Sequence, residues 1–470
     1  MITDAALQAW VCGLIEVSKL KSIFRERTKW QPGEKLKLLF AGYNGVRNTG
    51  ADVRVHEMLR QFKHILVSDN VKFSVLTQNF RLTQGYFEGV DQVRLPDMFP
   101  MMLFREVSNH DGVVACEGST FKSSFANALA TMMVEVLAIA SAQNKLSVAY
   151  GSEAGEMDGI LAQMCRRYCS KSLIVTRNEQ SQSVLAGLGL SSKEGTDTAW
   201  TFQPNDSTYA QMILRREGWD GKTPVLCICA MNPFWWPVKP SIFKFVANKL
   251  RGDYADSQYR SVYFHKSGSD VTDAYNRYLN AIAGALDRFR KERKIFIVLM
   301  AMEQLDNDSC RKLSARIGGV PIFSSERYDM FELVSLLQVC NLIVSSRYHG
   351  IVCSMTAGVP SAGLYMDERI RNLMQHRGHQ ALLIHVEDVD LEDKLFSVLH
   401  LLETDREEIR YGIARAVSKH LELMGRMGIF FAEYLRKKHP DFPLRSNIHS
   451  WEDYLPPLAP MLQKFLVGTL

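Results

Sequence analysis

Residues 340–355 read CNLIVSSRYHGIVCSM, and this stretch decides how we interpret the fold. The apolar run 340–344 is typical of a short buried strand, and 351–357 is typical of a helix. Arg347 and His349 then lie where a strand ends and a helix begins. In α/β sheets ligands bind at such positions, because helix N-termini and loop amides converge there. An arginine and a histidine at this turn can hold an anion and move a proton.

The composition indicates a globular protein with two domains. The chain has 470 residues, more than one ordinary domain contains, and 46% of them are apolar. Its net charge of +5 suits an anionic small molecule but is too low to favour nucleic acid. The nine cysteines show no zinc-binding spacing, so we interpret them as buried residues of a reducing compartment. We therefore expect neither a metal site nor a nucleic acid partner.

The sequence shows no pattern of export or membrane insertion. The N-terminus lacks a basic segment followed by an apolar core, so a signal peptide is not expected. The longest apolar-rich run, 125–142, carries Asn127, Thr131 and Glu135 at helical spacing, which is typical of a core helix. We predict a cytoplasmic protein without a transmembrane segment. No feature of the sequence predicts its oligomeric state.

Strands alternate with helices along 35–204, which predicts one doubly wound α/β domain with a mostly parallel sheet. Several strands, such as 36–42 and 112–116, run into loops where backbone amides can approach a ligand. The glycines of these loops fit neither a dinucleotide fingerprint nor a P-loop. The polar residues and glycines at these strand ends are Asn48, Gly50, Asp52, Glu117, Gly118, Lys122, Arg177 and Asn178.

A second alternation of strands and helices over 205–400 predicts a second Rossmann-like domain, which carries the RYHG turn. Its strands are predicted at 224–229, 261–264, 295–300, 320–323, 341–345 and 361–365. Two helical extensions flank the domains. The N-terminal extension, 1–34, is expected to pack on the C-terminal region, and the C-terminal extension covers 401–470. The predicted fold is therefore two Rossmann-like, doubly wound α/β domains that face a cleft.

Five motifs follow one another in a fixed order between about residues 38 and 375. They are Asn48-x-Gly50-x-Asp52, Glu117-Gly118-Ser119, Arg177-Asn178-x-x-Ser181, Asp197-x-Ala199, and Arg347-x-His349-Gly350 with Gly358-x-Pro360. Their order and spacing resemble the polysaccharide pyruvyl transferase family, and the last motif is the most specific of them. The resemblance implies a GT-B-like arrangement of the two domains, with the ligands bound in the cleft between them.

The resemblance also implies a transferase of cell-surface polysaccharide or glycan biosynthesis. Members of the family move the pyruvyl group of phosphoenolpyruvate to sugar hydroxyls, where it forms a ketal. The implied partners are phosphoenolpyruvate, as the donor substrate, and a sugar or glycolipid acceptor. No cofactor and no metal are implied.

Three positions depart from the usual motifs of the family, so we interpret the chain as a divergent member. One residue is inserted before Asp52, and Glu117 stands where the family has a glycine. Arg369 follows Tyr365 where the family has a lysine. Arginine keeps the positive charge but offers a planar fork of donors instead of a compact ammonium.

The resemblance implies roles for the charged residues of the motifs. Phosphoenolpyruvate carries a carboxylate and a phosphate, and arginine forks grip such oxyanions bidentately. We expect Arg177, Arg369 and Lys122 to bind it. We assign the proton transfers to His349 and the stabilisation of the leaving phosphate to Arg347.

Further substrate contacts are predicted at the glycine turns and in one aromatic loop. They are Asn48, Gly50, Asp52, Glu117, Gly118, Asn178, Gly350 and Trp235. Either Asp52 or Glu117 is expected to orient or deprotonate the acceptor. Trp235 lies in the aromatic run 233–237, where it either stacks on a sugar or packs in the core.

Two other functions remain open from the sequence. The first is a GT-B-type glycosyltransferase that uses a nucleotide-sugar donor. The second is a non-catalytic binding protein that retains the same fold.

Overall fold

The structure is a computed structural model that describes residues 4–24, 30–445 and 449–469. Two parallel sheets, each covered by helices on both faces, form its body. This confirms the predicted α/β fold with two Rossmann-like domains. The first sheet lies within 36–194 and the second within 225–385, so the boundary predicted near residue 204 falls between them.

The first sheet has seven parallel strands in the order β3-β2-β1-β4-β5-β6-β7. The strands are β1 Leu36–Ala41, β2 Val71–Thr77, β3 Asp91–Arg94, β4 Gly112–Ala115, β5 Leu146–Ser152, β6 Leu173–Thr176 and β7 Lys193–Glu194. The helices of this half are α1 Asp4–Phe24, α2 Thr49–Leu66, α3 Pro100–Asn109, α4 Asn127–Ala142, α5 Gly159–Tyr168, α6 Glu179–Gly187 and α7 Ser207–Arg216. The strand order reverses between β1 and β4, where such sheets bind ligands.

The second sheet has six parallel strands in the order β13-β12-β8-β14-β15-β16, and its order reverses between β8 and β14. Its strands are β8 Val225–Cys229, β12 Phe296–Ala301, β13 Ile322–Ser324, β14 Leu342–Ser345, β15 Ser361–Tyr365 and β16 Leu383–His385. The helices that follow α7 are α8 Ile242–Arg251, α9 Ser269–Glu292, α10 Asn307–Arg316, α11 Met330–Val339, α12 Tyr348–Met355, α13 Glu368–His376, α14 Leu391–Thr404, α15 Arg406–Lys438 and α16 Pro460–Thr469. The RYHG turn thus joins β14 to α12, at the reversal point.

The strands nearest the reversal points are apolar along their whole length. All five residues of β8, VLCIC, are buried, and so are all four residues of β4. Strands of a parallel sheet are apolar along their whole length because helices cover both faces of the sheet. The edge strand β3, DQVR, was not predicted because it carries no such apolar run, and the three-residue edge strand β16 was not predicted either.

The strand predicted at 261–264 does not belong to the second parallel sheet. It contributes β11, Tyr263–Phe264, to a small antiparallel sheet with β9, Lys239–Pro240, and β10, Gln258–Arg260. Most residues of this small sheet are half exposed, and a central parallel strand would be buried on both faces. The helix α8 connects β9 to β10.

The helix of the N-terminal extension packs on the first domain, so the expected packing on the C-terminal region holds not for this helix but for Trp30, whose ring lies 5.1 Å from that of Phe442. Leu7, Val11 and Ile15 of α1 are buried against α3, α4 and α5. Their spacing of four residues places them on one face of the helix. Residues 1–3 and 25–29 of the predicted extension lie outside the described residues.

The C-terminal helices return to the first domain. The predicted boundary at residue 400 falls inside α14, and α15 then runs for 33 residues to the first sheet. There the ring of Phe431 lies 4.2 Å from that of Phe62 on α2. The ring of His420 stacks on Trp200 at 4.3 Å. The last helices therefore fasten the two domains together.

Candidate active site

The two reversal points face each other and are in direct contact. The backbone N–H of Thr49, at the start of α2, donates to the carbonyl of Met302 after β12 at 2.9 Å. The side-chain amide of Asn48 donates to Glu303 at 3.1 Å, while its oxygen caps α2 by accepting from the N–H of Ala51. The N-terminus of α2 is therefore fixed against the second domain.

Gly50 and His349 meet at this contact. A Cβ atom built on Gly50 would overlap Nδ1 of His349, so glycine alone permits the approach. A Cβ atom on Gly350 would overlap Oγ of Ser345, so this glycine lets the RYHG turn pack closely on the end of β14. The glycines of the Asn48 loop and of the RYHG turn thus position the histidine of one domain against a helix of the other.

His349 is paired with Asp197 of the first domain. Its Nε2 lies 3.4 Å from Oδ2 of Asp197. Burial lowers the pKa of His349, and Asp197 counteracts part of this shift. His349 is thereby set to accept a proton while its carboxylate partner stabilises the charged form.

Asp197 is completely buried, and it is held by two arginines as well as by His349. Arg54 of α2 lies 2.9 Å from it and Arg177 lies 3.1 Å from it. Burial alone would raise the pKa of Asp197, but Arg54, His349 and Arg177 lower it well below its usual range. The carboxylate therefore stays ionised near neutral pH.

Arg177 follows β6, as predicted, and its guanidinium is shared between two carboxylates. It pairs with Glu153 as well as with Asp197, and it lies over the ring of Tyr348 at 4.6 Å. A Cβ on Gly118 would come within 2.9 Å of its Nη2. The glycine of the Glu117 turn therefore leaves room for this arginine.

Arg347 follows β14, and it is also held by two carboxylates. Its Nε donates to Asp306 at 2.9 Å, and its Nη2 lies 3.0 Å from Glu303 and also contacts Asp306. Burial raises the pKa of both Glu303 and Asp306, although Arg347 acts in the opposite direction. These two carboxyl groups therefore take up protons more readily than ordinary ones.

A polar cavity of about 100 Å³ lies between the domains at this point. The site residues predicted from the sequence that line this cavity are Asn48, Gly50, Glu117, Gly118, Arg177, Arg347, His349 and Arg369. Four of its lining residues are arginines, since Arg54 joins the three that were predicted. Arg369 reaches it from the start of α13, where Asp367 accepts from its Nε at 2.8 Å. The cavity thus combines an array of cations with a titratable histidine.

Two of the predicted binding residues lie outside the polar cavity and contact other parts of the chain. Lys122 is buried, and its Nζ donates to Glu368 at 2.8 Å and lies 3.6 Å from Glu153. The side-chain oxygen of Asn178 caps α6 by accepting from the N–H of Ser181. Neither residue lines the polar cavity, because Lys122 is occupied by carboxylates and Asn178 by its own helix.

The two carboxyl groups proposed to act on the acceptor are placed differently. Asp52 lies inside α2 and is buried behind the cavity, where burial raises its pKa well above the usual range. Glu117 lines the cavity, accepts from the backbone N–H of Tyr43, and has its pKa raised by burial. Of the two, only Glu117 can reach an acceptor in the cavity.

A second, larger cavity of about 230 Å³ opens beside the polar one and shares Asn48, Glu117, Arg347 and Arg369 with it. Its apolar lining includes Leu7, Leu95, Phe99, Phe125, Leu129, Met132, Met231, Trp236 and Val262. Trp236, and not the predicted Trp235, belongs to this lining, since Trp235 stacks on His265 at 4.2 Å.

Sequence reasoning assigned no role to Arg54, Asp197, Glu303 or Asp306. Asp197 stood in a quoted motif, so the motif itself was the signal that could have found it. Glu303 follows the end of β12, as Arg347 follows β14, so the rule of strand ends also applies to it. Arg54 lies within α2, where nothing in the sequence distinguishes it from a surface arginine.

Among the described residues, no group of three or more histidine, cysteine, aspartate or glutamate side chains could hold a metal ion. In the same part of the chain, no helix is long and apolar enough to cross a membrane.

Comparisons with known proteins agree with this architecture. The family model described as polysaccharide pyruvyl transferase matches residues 33–368. A sequence search of curated proteins found no match. A solved UDP-N-acetylglucosamine 2-epimerase is similar with a TM-score of 0.52 at 11% identity, over 89% of this chain and 100% of that one. The UDP-GlcNAc 2-epimerase from Neisseria meningitidis, bound to UDP-GlcNAc, has a TM-score of 0.50 at 11% identity, over 86% and 100% of the chains. At such identities the likeness shows the GT-B-like fold alone.

Proposed function

Since this chain belongs to the polysaccharide pyruvyl transferase family, we propose that it transfers the pyruvyl group of phosphoenolpyruvate to two hydroxyls of a sugar. The observation that carries this proposal is the polar cavity, where four arginines surround His349. A small dianion or trianion is the kind of ligand that such an array of guanidinium groups binds. The reaction requires no cofactor, and the donor is a cytoplasmic metabolite, so we also propose a cytoplasmic site of action.

The donor needs more positive charge than the cavity offers at rest, because each of its arginines is partly neutralised. Arg177 and Arg347 each pair with two carboxylates. The raised pKa of Glu303 and Asp306 means that these carboxyl groups can be protonated and then no longer neutralise Arg347. When an anion approaches Arg347, protonation of either carboxyl group releases part of the guanidinium charge to the donor.

His349 then carries the proton between acceptor and donor. Its lowered pKa favours the neutral imidazole, which accepts the proton of the first sugar hydroxyl as that oxygen bonds to C2 of phosphoenolpyruvate. In the same addition the π electrons of the C2=C3 bond take up this proton at C3, so C3 becomes a methyl group and C2 a tetrahedral carbon that carries both the sugar oxygen and the phosphate. Asp197 stabilises the imidazolium between the two transfers.

The second half of the reaction closes the ketal. The bond from C2 to the phosphate oxygen breaks, phosphate leaves with the bonding electrons, and the second hydroxyl oxygen bonds to C2. The second hydroxyl proton passes through His349 to phosphate or solvent. The arginines of the cavity stabilise the negative charge that develops on the leaving phosphate.

A thermal-shift panel with phosphoenolpyruvate, UDP and UDP-sugars tests the donor. A ligand that binds only the folded protein raises its melting temperature, so we expect phosphoenolpyruvate alone to do so. Arg369→Ala should reduce the shift, while Arg371→Ala, two residues on and exposed, should not. A shift with a UDP-sugar and none with phosphoenolpyruvate would favour a glycosyltransferase. No shift with any ligand would favour a non-catalytic binding protein.

A further inference from the structure

The helix α8 presents an apolar face that nothing in the described chain covers. None of its ten residues is buried. Phe243 is 74% exposed, Val246 45% and Leu250 77%. Their spacing of three and four residues places all three on one side of the helix. Exposed apolar residues are usually scattered singly, so a row of three on one short helix points to a binding surface.

Basic residues flank this apolar row on both sides. At 100° per residue, Lys249 stands on one side of the row and Arg251 on the other, and both are exposed. The sequence of the helix, IFKFVANKLR, contains no acidic residue. Two exposed carboxylates, Asp253 and Asp256, follow in the next turn. The helix itself is therefore positively charged around an apolar row.

The size of the surface decides what kind of partner fits it. A stable protein interface buries about 1,200–2,000 Å² in total, more than one face of a ten-residue helix provides. A helix that lies in a membrane interface needs only a few apolar side chains below the headgroups and cations beside them. The cations match anionic headgroups.

The position of α8 adds a separate observation. The helix joins two strands of the small sheet, and Tyr259, Val262 and Tyr263 from that sheet line the apolar cavity. The cavity in turn adjoins the arginines of the polar cavity. A bilayer that bound α8 would therefore lie close to the apolar cavity.

We propose that α8 docks this protein on an anionic membrane surface. Phe243, Val246 and Leu250 enter the interfacial region of the bilayer, while Lys249 and Arg251 contact anionic lipid headgroups. This docking does not depend on the reaction proposed above, because no residue of α8 lines the polar cavity.

Co-sedimentation with vesicles tests the proposal. The full chain should bind vesicles of phosphatidylcholine with 30% phosphatidylglycerol and bind pure phosphatidylcholine weakly, and added salt should weaken the binding. The double variant Phe243→Ser/Leu250→Ser should lower the partition coefficient by about tenfold or more. Lys249→Glu/Arg251→Glu should abolish the preference for phosphatidylglycerol. Val389→Ser removes a fully exposed apolar residue elsewhere and should change nothing.

Three results would overturn the proposal. The first is no binding of the wild-type chain to phosphatidylglycerol vesicles. The second is equal binding by the wild type and Phe243→Ser/Leu250→Ser, with unchanged thermal unfolding showing that both are folded. The third is a wild-type dimer, measured by light scattering, that this double variant converts to a monomer, because the apolar face would then belong to a second copy.

Discussion

Arg177 and Arg347 reach the same polar cavity from the two domains, yet the carboxyl groups around them differ in how readily they take up protons. Each follows a strand beside the cleft, and each pairs with two buried carboxylates. Around Arg177, opposing charges outweigh burial, so the pKa of Asp197 is lowered and that of Glu153 falls to about 2. Both groups stay ionised near neutral pH.

Around Arg347 the balance is reversed. Burial raises the pKa of Glu303 and of Asp306, the charge of Asp306 raises the pKa of Glu303 further, and the two carboxylates share one guanidinium. Around Arg177, by contrast, Arg54 and Lys122 supply additional positive charge. The number of cations for each buried carboxylate, and not the presence of an ion pair, decides whether the group can take up a proton.

The largest expected effect concerns His349, which lies in the second domain but pairs with a carboxylate of the first. His349→Ala should lower kcat by about 10²–10⁴-fold, because Asp197, its partner, remains ionised and does not replace the imidazole as the proton carrier. Binding should persist, since the arginines remain. Steady-state phosphate release gives the rate, and the thermal shift with phosphoenolpyruvate gives the binding. Unchanged turnover would remove His349 from the reaction.

Removing a carboxylate from each region should have unequal effects on stability. Asp197→Ala leaves Arg54 and Arg177 buried with one fewer counter-charge and should cost about 3–5 kcal/mol. Asp306→Ala leaves Arg347 with Glu303 and should cost less than about 2 kcal/mol. Urea denaturation at pH 7 measures both values. Equal losses would contradict the difference between the two regions.

The close approach between the regions can be broken by a single methyl group. Gly50→Ala should displace the imidazole of His349 and lower kcat by about 10²-fold, because such catalysis depends on placement to within about 1 Å. A Cβ atom at position 118 comes no closer than 2.9 Å to the guanidinium of Arg177, so Gly118→Ala should lower kcat by less. The ratio of the two kcat values, with circular dichroism to verify folding, checks this order.

The smallest expected effect is a pH dependence of donor binding. Because the pKa of Glu303 is raised and an approaching anion raises it further, binding should be accompanied by proton uptake. The Kd for phosphoenolpyruvate should therefore increase as pH rises through the raised pKa of Glu303, by up to about tenfold per pH unit for one proton. Glu303→Gln should flatten the profile. Calorimetry in two buffers of different ionisation enthalpy measures the uptake, and none in the wild type would refute it.

The sequence predicted which strand ends meet in the cleft. Apolar runs in the sequence predict the buried strands. The rule that ligands bind at the carboxyl ends of parallel strands then placed Asn48, Glu117, Arg177 and Arg347 together. Their family motifs added His349. These predictions depend on local patterns and on topology, which a sequence records directly.

The partners of these charges were not predictable in the same way. Lys122 was expected to bind the donor, but it pairs with Glu368, which lies 246 residues further along the chain. The choice between Trp235 and Trp236 likewise depends on which rotamer the surrounding loop permits. Contacts between distant side chains leave no periodicity in the sequence, so only the folded structure assigns them.

The return of α15 to the first domain limits how the cleft can move. The chain passes between the domains twice, once between β7 and β8 and once along α14 and α15. A body joined to another at two points can turn only about the line through those points, whereas a single linker would leave it three rotations. We therefore expect any opening of the cleft to be a rotation about a single axis, so that closure would return His349 to the same place beside Gly50.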